Sequence, residues 1–138
     1  MSRPIIERVK ALGLSPDHFI VAGSGVLDAL DIRSAGDVDL VVTEDLYEAL
    51  RAQNSQWKEE KQHDRYLLVR EGKLEEVWYN WPSGKGLLSY DEMKNSSIMI
   101  DEVRFMSLEF VYDWKLWMNR PKDQRDVRLI ENYRKNNP

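Results

Sequence analysis

Short apolar runs alternate with segments of helical periodicity in the first 52 residues. Two runs, HFIVAG (18–23) and VDLVV (38–42), have the length and composition of buried strands. Apolar residues at helical spacing predict a helix before, between and after these strands. The predicted helices lie at 2–13, with Ser2 as its cap, at 25–30, and after the cap residue Thr43.

The middle of the chain changes to strand patterns that predict antiparallel hairpins. Three strand candidates follow one another, QWKEEKQ (56–62), RYLLVR (65–70) and KLEEVWYN (73–80). Glu71-Gly72 is predicted to join the last two as a hairpin. Residues 81–97 are predicted to be a long connection with one helical turn after Ser89. A second hairpin is predicted to turn at Asp101-Glu102, between SIMI and VRFM.

The chain is predicted to end in two helices. Ser107 caps the first, and an aromatic face made of Phe110, Trp114 and Trp117 is predicted to join the core, with partner binding as the alternative. The second helix is predicted from about Lys122 to Tyr133. The fold class is therefore α+β (α/β-like), with a mixed sheet flanked by helices. We expect a single domain over 1–138, with a core at about 1–106 and C-terminal helices at about 107–135.

The amino-acid composition indicates that any bound metal ion is held by oxygen ligands. The 138 residues contain no cysteine and two histidines, His18 and His63, which excludes thiol nucleophiles and leaves little scope for a histidine-rich metal centre. The net charge of −4 argues against non-specific nucleic-acid binding as the main function. No apolar run approaches the roughly 20 residues that span a bilayer, and no secretory signal is recognisable. We therefore expect a cytoplasmic protein without membrane contact.

Two carboxylates accompany the second apolar run. Asp37 and Asp39 are two residues apart, so in a strand their side chains project from the same face. Because like charges repel, the pair indicates a cation between them, and Mg²⁺ commonly uses one or two carboxylates together with substrate phosphates. The alternative is a plain turn at Gly36-Asp37, with Asp39 at a solvated strand edge.

A glycine-rich turn precedes the carboxylates. Gly23, Ser24 and Gly25 stand where the first strand ends and a short helix begins. Unblocked backbone N–H groups at such a turn attract phosphate. The sequence therefore predicts a phosphate site facing the predicted metal site.

Gly23-Ser24, twelve further residues and then Asp37-Val38-Asp39-Leu40 resemble the signature of the nucleotidyltransferase superfamily with the polymerase-beta-type fold. The resemblance is closest to small, minimal members, and it extends to the C-terminal part of the chain. It implies that the glycine-serine turn holds a triphosphate and that the two aspartates bind the catalytic metals. It also implies a third carboxylate from a later strand. Glu75 and Glu76 project to opposite faces of that strand, and the resemblance favours Glu76.

The implied activity is transfer of a nucleoside monophosphate from a nucleoside triphosphate, such as ATP, to a hydroxyl group with release of pyrophosphate. Asp37, Asp39 and Glu76 would hold Mg²⁺ or Mn²⁺. Lys115, Arg120 and Lys122 are candidates for phosphate contacts. The acceptor is a protein, an RNA or a small molecule.

An inactive domain of the same fold is the alternative, a nucleotide-binding or interaction module. About thirty residues follow the second predicted hairpin, which leaves the acceptor pocket incomplete or borrowed. A homodimer is one way to complete it. Asp123 and Asp126 are interpreted as acidic residues that favour the positive end of the last helix.

Overall fold

The computed structural model describes residues 4–53, 56–70 and 74–138. The described residues form six helices: α1 (Pro4–Lys10), α2 (Ser24–Ala29), α3 (Glu44–Ala52), α4 (Tyr90–Lys94), α5 (Leu108–Met118) and α6 (Pro121–Asn136). They also form nine strands: β1 (Phe19–Ala22), β2 (Val38–Val42), β3 (Trp57–Gln62), β4 (Arg65–Arg70), β5 (Glu75–Trp78), β6 (Asn80–Ser83), β7 (Gly86–Ser89), β8 (Ile98–Ile100) and β9 (Val103–Phe105).

Seven strands make one mixed sheet in the order β3-β4-β5-β2-β1-β9-β8. The β2–β5 and β1–β9 pairs are parallel, and the other neighbours are antiparallel. The two most apolar strands, β1 and β2, lie side by side near the centre of the sheet. This arrangement confirms the predicted α+β class with a mixed sheet and C-terminal helices.

The apolar runs form the core because the central strands are covered on both faces. All of β1 and four of the five residues of β2 are buried, and Asp39 is the exception in β2. Helices α1 and α2 contact each other beside β1, with Ile5 and Ile6 of α1 fully covered. Burying one such aliphatic side chain contributes about 1.5–3 kcal/mol.

Several local predictions are confirmed by capping contacts. The Thr43 hydroxyl accepts a hydrogen bond from the Leu46 N–H at the start of α3, and the Ser107 hydroxyl accepts one from Phe110 in α5. Ser89 and Glu92 form a capping box at α4, the predicted helical turn. The hairpin between β8 and β9 turns at Asp101 and Glu102, both with positive φ.

Other local predictions differ from the structure. The predicted long connection contains most of the hairpin of β6 and β7. Ser83 and Gly86 close a tight turn there, where one proline and two glycines had favoured an irregular segment. The last helix is longer than predicted, since Pro121 suits its first turn and its polar C-terminal residues continue the helix. Ser2 and Glu71-Gly72 lie outside the described residues.

None of the helices among the described residues is both long enough and apolar enough to cross a bilayer.

Gly25 is predicted to be essential for packing of α2 against β1. A Cβ at this position would stand 2.7 Å from Cγ1 of Val21, closer than real contacts allow. Overpacking costs about 1–3 kcal/mol, and the better helix propensity of alanine recovers about 1 kcal/mol of it. We expect Gly25→Ala to lower the free energy of unfolding by up to about 2 kcal/mol in urea denaturation. Gly36→Ala is the control, because nothing lies within 4 Å of its Cβ position.

Candidate active site

Asp39 and Glu76 stand side by side on one face of the sheet. In the parallel pairing of β2 with β5, Asp39 lies opposite Glu76, and on its other side Asp39 lies opposite Ala22 of β1. Paired residues of neighbouring strands project to the same face. The register therefore brings Glu76 next to Asp39, as the resemblance had led us to expect.

The environment of Asp39 disfavours its charge. Burial, the neighbouring Glu76 carboxylate and a hydrogen bond with it, and the charge of Asp37 raise the pKa of Asp39 to about 8, while Lys122 acts in the opposite direction. A carboxyl group in this state holds a proton at neutral pH unless a cation replaces the proton.

Asp37 stands just before β2 and is exposed. It lines the same cleft as Asp39 and Glu76. As their side chains are placed, no three carboxylates or histidines of the described residues come close enough together to hold a metal ion. The donor set nevertheless suits a hard divalent cation, because all three groups offer oxygen ligands and two of them already crowd each other. Asp39 and Glu76 would hold such an ion together with phosphate oxygens, with Asp37 beside them in the same cleft.

Glu75 lies on the opposite face of the sheet. Its carboxylate accepts a hydrogen bond from Arg70 at 3.1 Å and lies 3.8 Å from the Arg8 guanidinium. Arg8 also donates to the carbonyl of Gly36 at 2.8 Å, so α1 is tied to the turn that precedes Asp37. Glu75 is thus occupied by two arginines away from the cleft.

The glycine-serine turn adjoins the carboxylates. Gly23 has a φ of +64°, and its Cβ position would lie 3.6 Å from a carboxylate oxygen of Asp39. Ser24 lines the cleft, whereas Gly25 is buried against Val21 and Ile5. The structure therefore gives Gly25 a packing role. Of the three turn residues predicted to bind phosphate, Ser24 is the one that lines the cleft.

A buried ion-pair network, which the sequence analysis missed, holds Ser24 from behind. Arg33 donates two hydrogen bonds to the Asp126 carboxylate, at 2.6 and 2.7 Å, and one to the Ser24 hydroxyl at 2.9 Å. Lys115 is only 2% exposed, with its Nζ 2.8 Å from Asp126 and 3.4 Å from the Ser24 hydroxyl. The network joins α2, α5 and α6 at one point.

Asp123 and Asp126 are therefore not simple first-turn charges of the last helix, as interpreted above, because both are buried acceptors of ion pairs. Asp123 receives hydrogen bonds from the side chain and the N–H of Arg120, and lies 3.5 Å from Lys115. Their spacing of three residues on one helix face is a signal that could have indicated a shared role. No sequence signal identifies Arg33 as the partner of Asp126.

The two aspartates are ionised by this network. Burial opposes ionisation of Asp126, but hydrogen bonds and charge from Arg33 and Lys115 outweigh it, so the pKa of Asp126 falls below its usual range. Hydrogen bonds from Arg120 act in the same way against burial and lower the pKa of Asp123. The charge of Lys115 is thereby matched within the protein. Lys122, which is exposed at the cleft, and Arg120 are more accessible to a phosphate.

These groups surround a cleft of about 710 Å³. Its volume lies within the range of small-molecule sites, roughly 300–1,000 Å³. The cleft has an acidic side formed by Asp37, Asp39 and Glu76, and a cationic side formed by α5 and α6. Tryptophans line part of the remaining wall. Of the aromatic face predicted to join the core, Phe110 and Trp114 pack against the core, whereas Trp117 is 49% exposed at the cleft. The lining tryptophans are Trp78, Trp81, Trp114 and Trp117.

The arrangement is that of a nucleotidyltransferase-type fold. A crystal structure of ANT(2")-Ia in complex with adenylyl-2"-tobramycin is similar, with a TM-score of 0.56 and 18% sequence identity over 91% of this chain and 83% of that chain. A solution structure of the antibiotic-resistance factor ANT(2")-Ia gives a TM-score of 0.54 and 16% identity over 91% of this chain and 78% of that chain. At these identities the likeness shows the fold. No family profile and no curated protein matches the sequence.

Neutralising Asp39 is predicted to stabilise the metal-free protein. The folded-state pKa of Asp39 lies above the value of about 3.9 for an unfolded chain. Between about pH 4 and pH 8 the unfolded chain therefore releases a proton that the folded protein retains, so the free energy of unfolding falls as pH rises. We expect Asp39→Asn to be as stable as the parent at pH 5. At pH 8 it should be more stable by about 0.5–2 kcal/mol. Urea denaturation of both proteins with EDTA at the two pH values measures this, and a variant less stable at both would make Asp39 a structural residue.

Removing one member of the buried network is predicted to have the opposite effect. Asp126→Asn leaves Arg33 and Lys115 without their shared carboxylate, which costs about 3–5 kcal/mol for a buried pair. Because the folded-state pKa of Asp126 is lowered, its contribution is present above about pH 4 and disappears as pH falls below that value. Thermal denaturation at pH 7 and pH 3 should show the difference between parent and variant shrinking in acid. Asp113→Asn, an exposed change on α5, should alter neither curve.

Proposed function

We propose that this protein is a nucleotidyltransferase that moves a nucleoside monophosphate from a nucleoside triphosphate to a hydroxyl acceptor. The observation that carries the proposal is the crowded Asp39–Glu76 pair beside the Gly23-Ser24 turn, at one end of a nucleotidyltransferase-type sheet. Lys122 acts on Asp39 through its charge, but no cationic side chain of the described residues forms an ion pair with Asp39 or Glu76, so the pair is suited to binding a cation from solution. Neighbouring Ser24 provides a hydroxyl at which a phosphate can be bound.

Different side chains of this protein would bind different parts of the triphosphate. Arg33 and Lys115 fix the Ser24 hydroxyl from behind, since both are already paired with Asp126. Lys122 and Arg120, at the cleft surface, would neutralise phosphate oxygens. Mg²⁺ or Mn²⁺ held by Asp37, Asp39 and Glu76 would supply charge neutralisation and lower the pKa of the attacking hydroxyl.

The proposed reaction balances without an additional reactant. The acceptor oxygen forms a bond to the α-phosphorus while the bond from that phosphorus to the bridging oxygen breaks. Pyrophosphate leaves with the electrons of that bond. The proton of the acceptor hydroxyl passes through the carboxylate pair of Asp39 and Glu76 to solvent.

A nucleotide-binding module without turnover is the second candidate. The observation that favours it is the position of Asp37, which is exposed and does not converge with Asp39 and Glu76 as placed. Such a module would bind nucleotide at the same cleft but transfer nothing. We propose that the acceptor of the active form is a protein, an RNA or a small molecule. We also propose that a homodimer completes the acceptor site.

Transfer is predicted to depend on the carboxylates that face the cleft. Purified protein is added to a cell lysate with Mg²⁺ or Mn²⁺ and labelled ATP, GTP, CTP or UTP. We expect the label to be transferred to the protein itself, to a partner protein or to RNA. Asp39→Asn and Glu76→Gln should each reduce labelling by at least about a hundredfold, because they remove a proposed metal ligand. Glu75→Gln is the matched control, since it changes the adjacent carboxylate on the opposite face and should retain labelling.

Thermal denaturation of the same variants separates folding from ligand binding. Glu75→Gln should lower the melting temperature because it releases Arg70 and Arg8. Mg²⁺ with a nucleoside triphosphate should raise the melting temperature of the parent and leave Asp39→Asn nearly unchanged. Nucleotide-dependent stabilisation without labelling in any extract would support the binding module. Labelling that persists in Asp39→Asn would contradict the enzymatic proposal.

A further inference from the structure

Tryptophan is concentrated at the cleft. Four of the five tryptophans of the chain line it, and the fifth, Trp57, is buried in β3 outside the lining. The four come from three elements, with Trp78 on β5, Trp81 on β6, and Trp114 and Trp117 on α5. Because the carboxylates and cations account for the polar sides of the cleft, the aromatic wall remains without an assigned role.

Trp117 has the position of a stacking surface. It is 49% exposed, although it lies inside the lining of the cleft. The hairpin of β6 and β7 supports its edge, since a Cβ on Gly84 would stand 3.2 Å from Cδ1 of Trp117. Trp114 lies three residues earlier, about 4.5 Å along the helix axis, on the same side of α5. Trp117 is thus held at one edge while much of its indole remains accessible.

The indoles behind Trp117 have unused hydrogen-bond donors. Trp81 and Trp114 pack with ring centres 5.0 Å apart at an angle of 54°. The Nε1 atoms of both are buried and have no partner among the described residues, as is also true of Trp78. Trp81 is itself 95% buried, at 5% exposure. Because these Nε1 atoms are buried, they are inaccessible from the cleft, and the wall can contact a ligand through its ring surfaces and not through these donors.

The aromatic wall adjoins the cations and not only the carboxylates. Nζ of Lys115 lies 5.1 Å from the ring centre of Trp114, and Cζ of Arg120 lies 5.5 Å from it. Lys115 in turn contacts the Ser24 hydroxyl. A ligand with phosphates at Ser24 and a flat ring against the tryptophans therefore matches the order of groups along this side of the cleft. The attacking hydroxyl would approach from the acidic side, beside Asp39 and Glu76.

We infer that Trp117, supported by Trp114 and Trp81, binds the base of the nucleotide by stacking and thereby selects purines. The inference rests on the proposed function, because it assigns the end of the cleft that the base of the triphosphate occupies. Stacking on an aromatic side chain gains free energy with the area of the ring, and a purine covers more of an indole than a pyrimidine does. Trp117 is accordingly a specificity-determining residue and not a catalytic one.

Calorimetric titration with ATP, GTP, CTP, UTP and inorganic tripolyphosphate in the presence of Mg²⁺ tests the inference. Tripolyphosphate reports the phosphate site without a base. We expect ATP and GTP to bind more tightly than tripolyphosphate and the pyrimidine nucleotides. Trp117→Ala should weaken ATP and GTP about tenfold, on the scale of one base stacked on an aromatic ring, and leave tripolyphosphate unchanged. Trp117→Phe, which keeps an aromatic ring, should retain most of the purine affinity.

Leu116→Ala is the matched control, because Leu116 is also 49% exposed on α5 but does not line the cleft. Equal losses in Leu116→Ala and Trp117→Ala would overturn the inference. Unchanged purine affinity in Trp117→Ala would do the same, even if the enzyme transfers nucleotide normally. An effect of Trp117→Ala on the KM of the acceptor alone would place the acceptor on this wall and also overturn it.

The outcomes distinguish this inference from the proposed function. Purine binding that depends on Trp117 without transfer to any acceptor would overturn the enzymatic proposal and leave the base site in place. Absence of binding by every triphosphate would overturn both. Melting curves of Trp117→Ala and Trp117→Phe ensure that a loss of affinity is not a loss of fold.

Discussion

The carboxylates of Asp39 and Glu76 are held side by side by the backbone of two neighbouring strands. Neither residue can move away without breaking the parallel ladder of β2 and β5 at the centre of the sheet. Their mutual repulsion, together with partial burial, therefore has to be relieved by a proton or a cation. Two adjacent carboxylates therefore reduce the stability of the fold when no ligand is bound. A bound cation would remove this cost, and the proposed metal-dependent reaction provides such a cation.

The remainder of the cleft depends on how the C-terminal helices dock opposite that pair. Arg33 and Lys115 converge on Asp126 and on the Ser24 hydroxyl, so one buried cluster fixes α6, α5 and the start of α2 together. Buried ion pairs contribute little net stability, but each member is costly to leave alone, which makes the docking specific. The cationic side is thus buried at Lys115, whereas Arg120 is partly exposed and Lys122 is exposed at the cleft.

Much of the fold follows from local sequence patterns. The apolar runs at β1 and β2, the caps Thr43 and Ser107, and the turn at Asp101 predict elements that the structure contains. The hairpin of β6 and β7 was missed because glycine, proline and serine in WPSGKGLLS are typical of loops as well as of tight turns. Its first strand, β6, contacts α5, an element much later in the chain, and local sequence patterns do not reveal such a contact.

The sequence by itself determined that Asp39 lies in a buried strand and that strand parity allows only one of Glu75 and Glu76 to share its face. It also predicted Asp37 beside Asp39 on that face, whereas Asp37 stands just before β2 and is exposed. Only the tertiary structure decided which glutamate adjoins Asp39, because the choice depends on the register between two strands more than thirty residues apart. The tertiary structure also decided the pairing of Arg33 with Asp126, 93 residues apart, and gave Trp117 its place at a cleft. Periodicity describes one element at a time, whereas ion pairs and cavity walls are formed where separate elements meet.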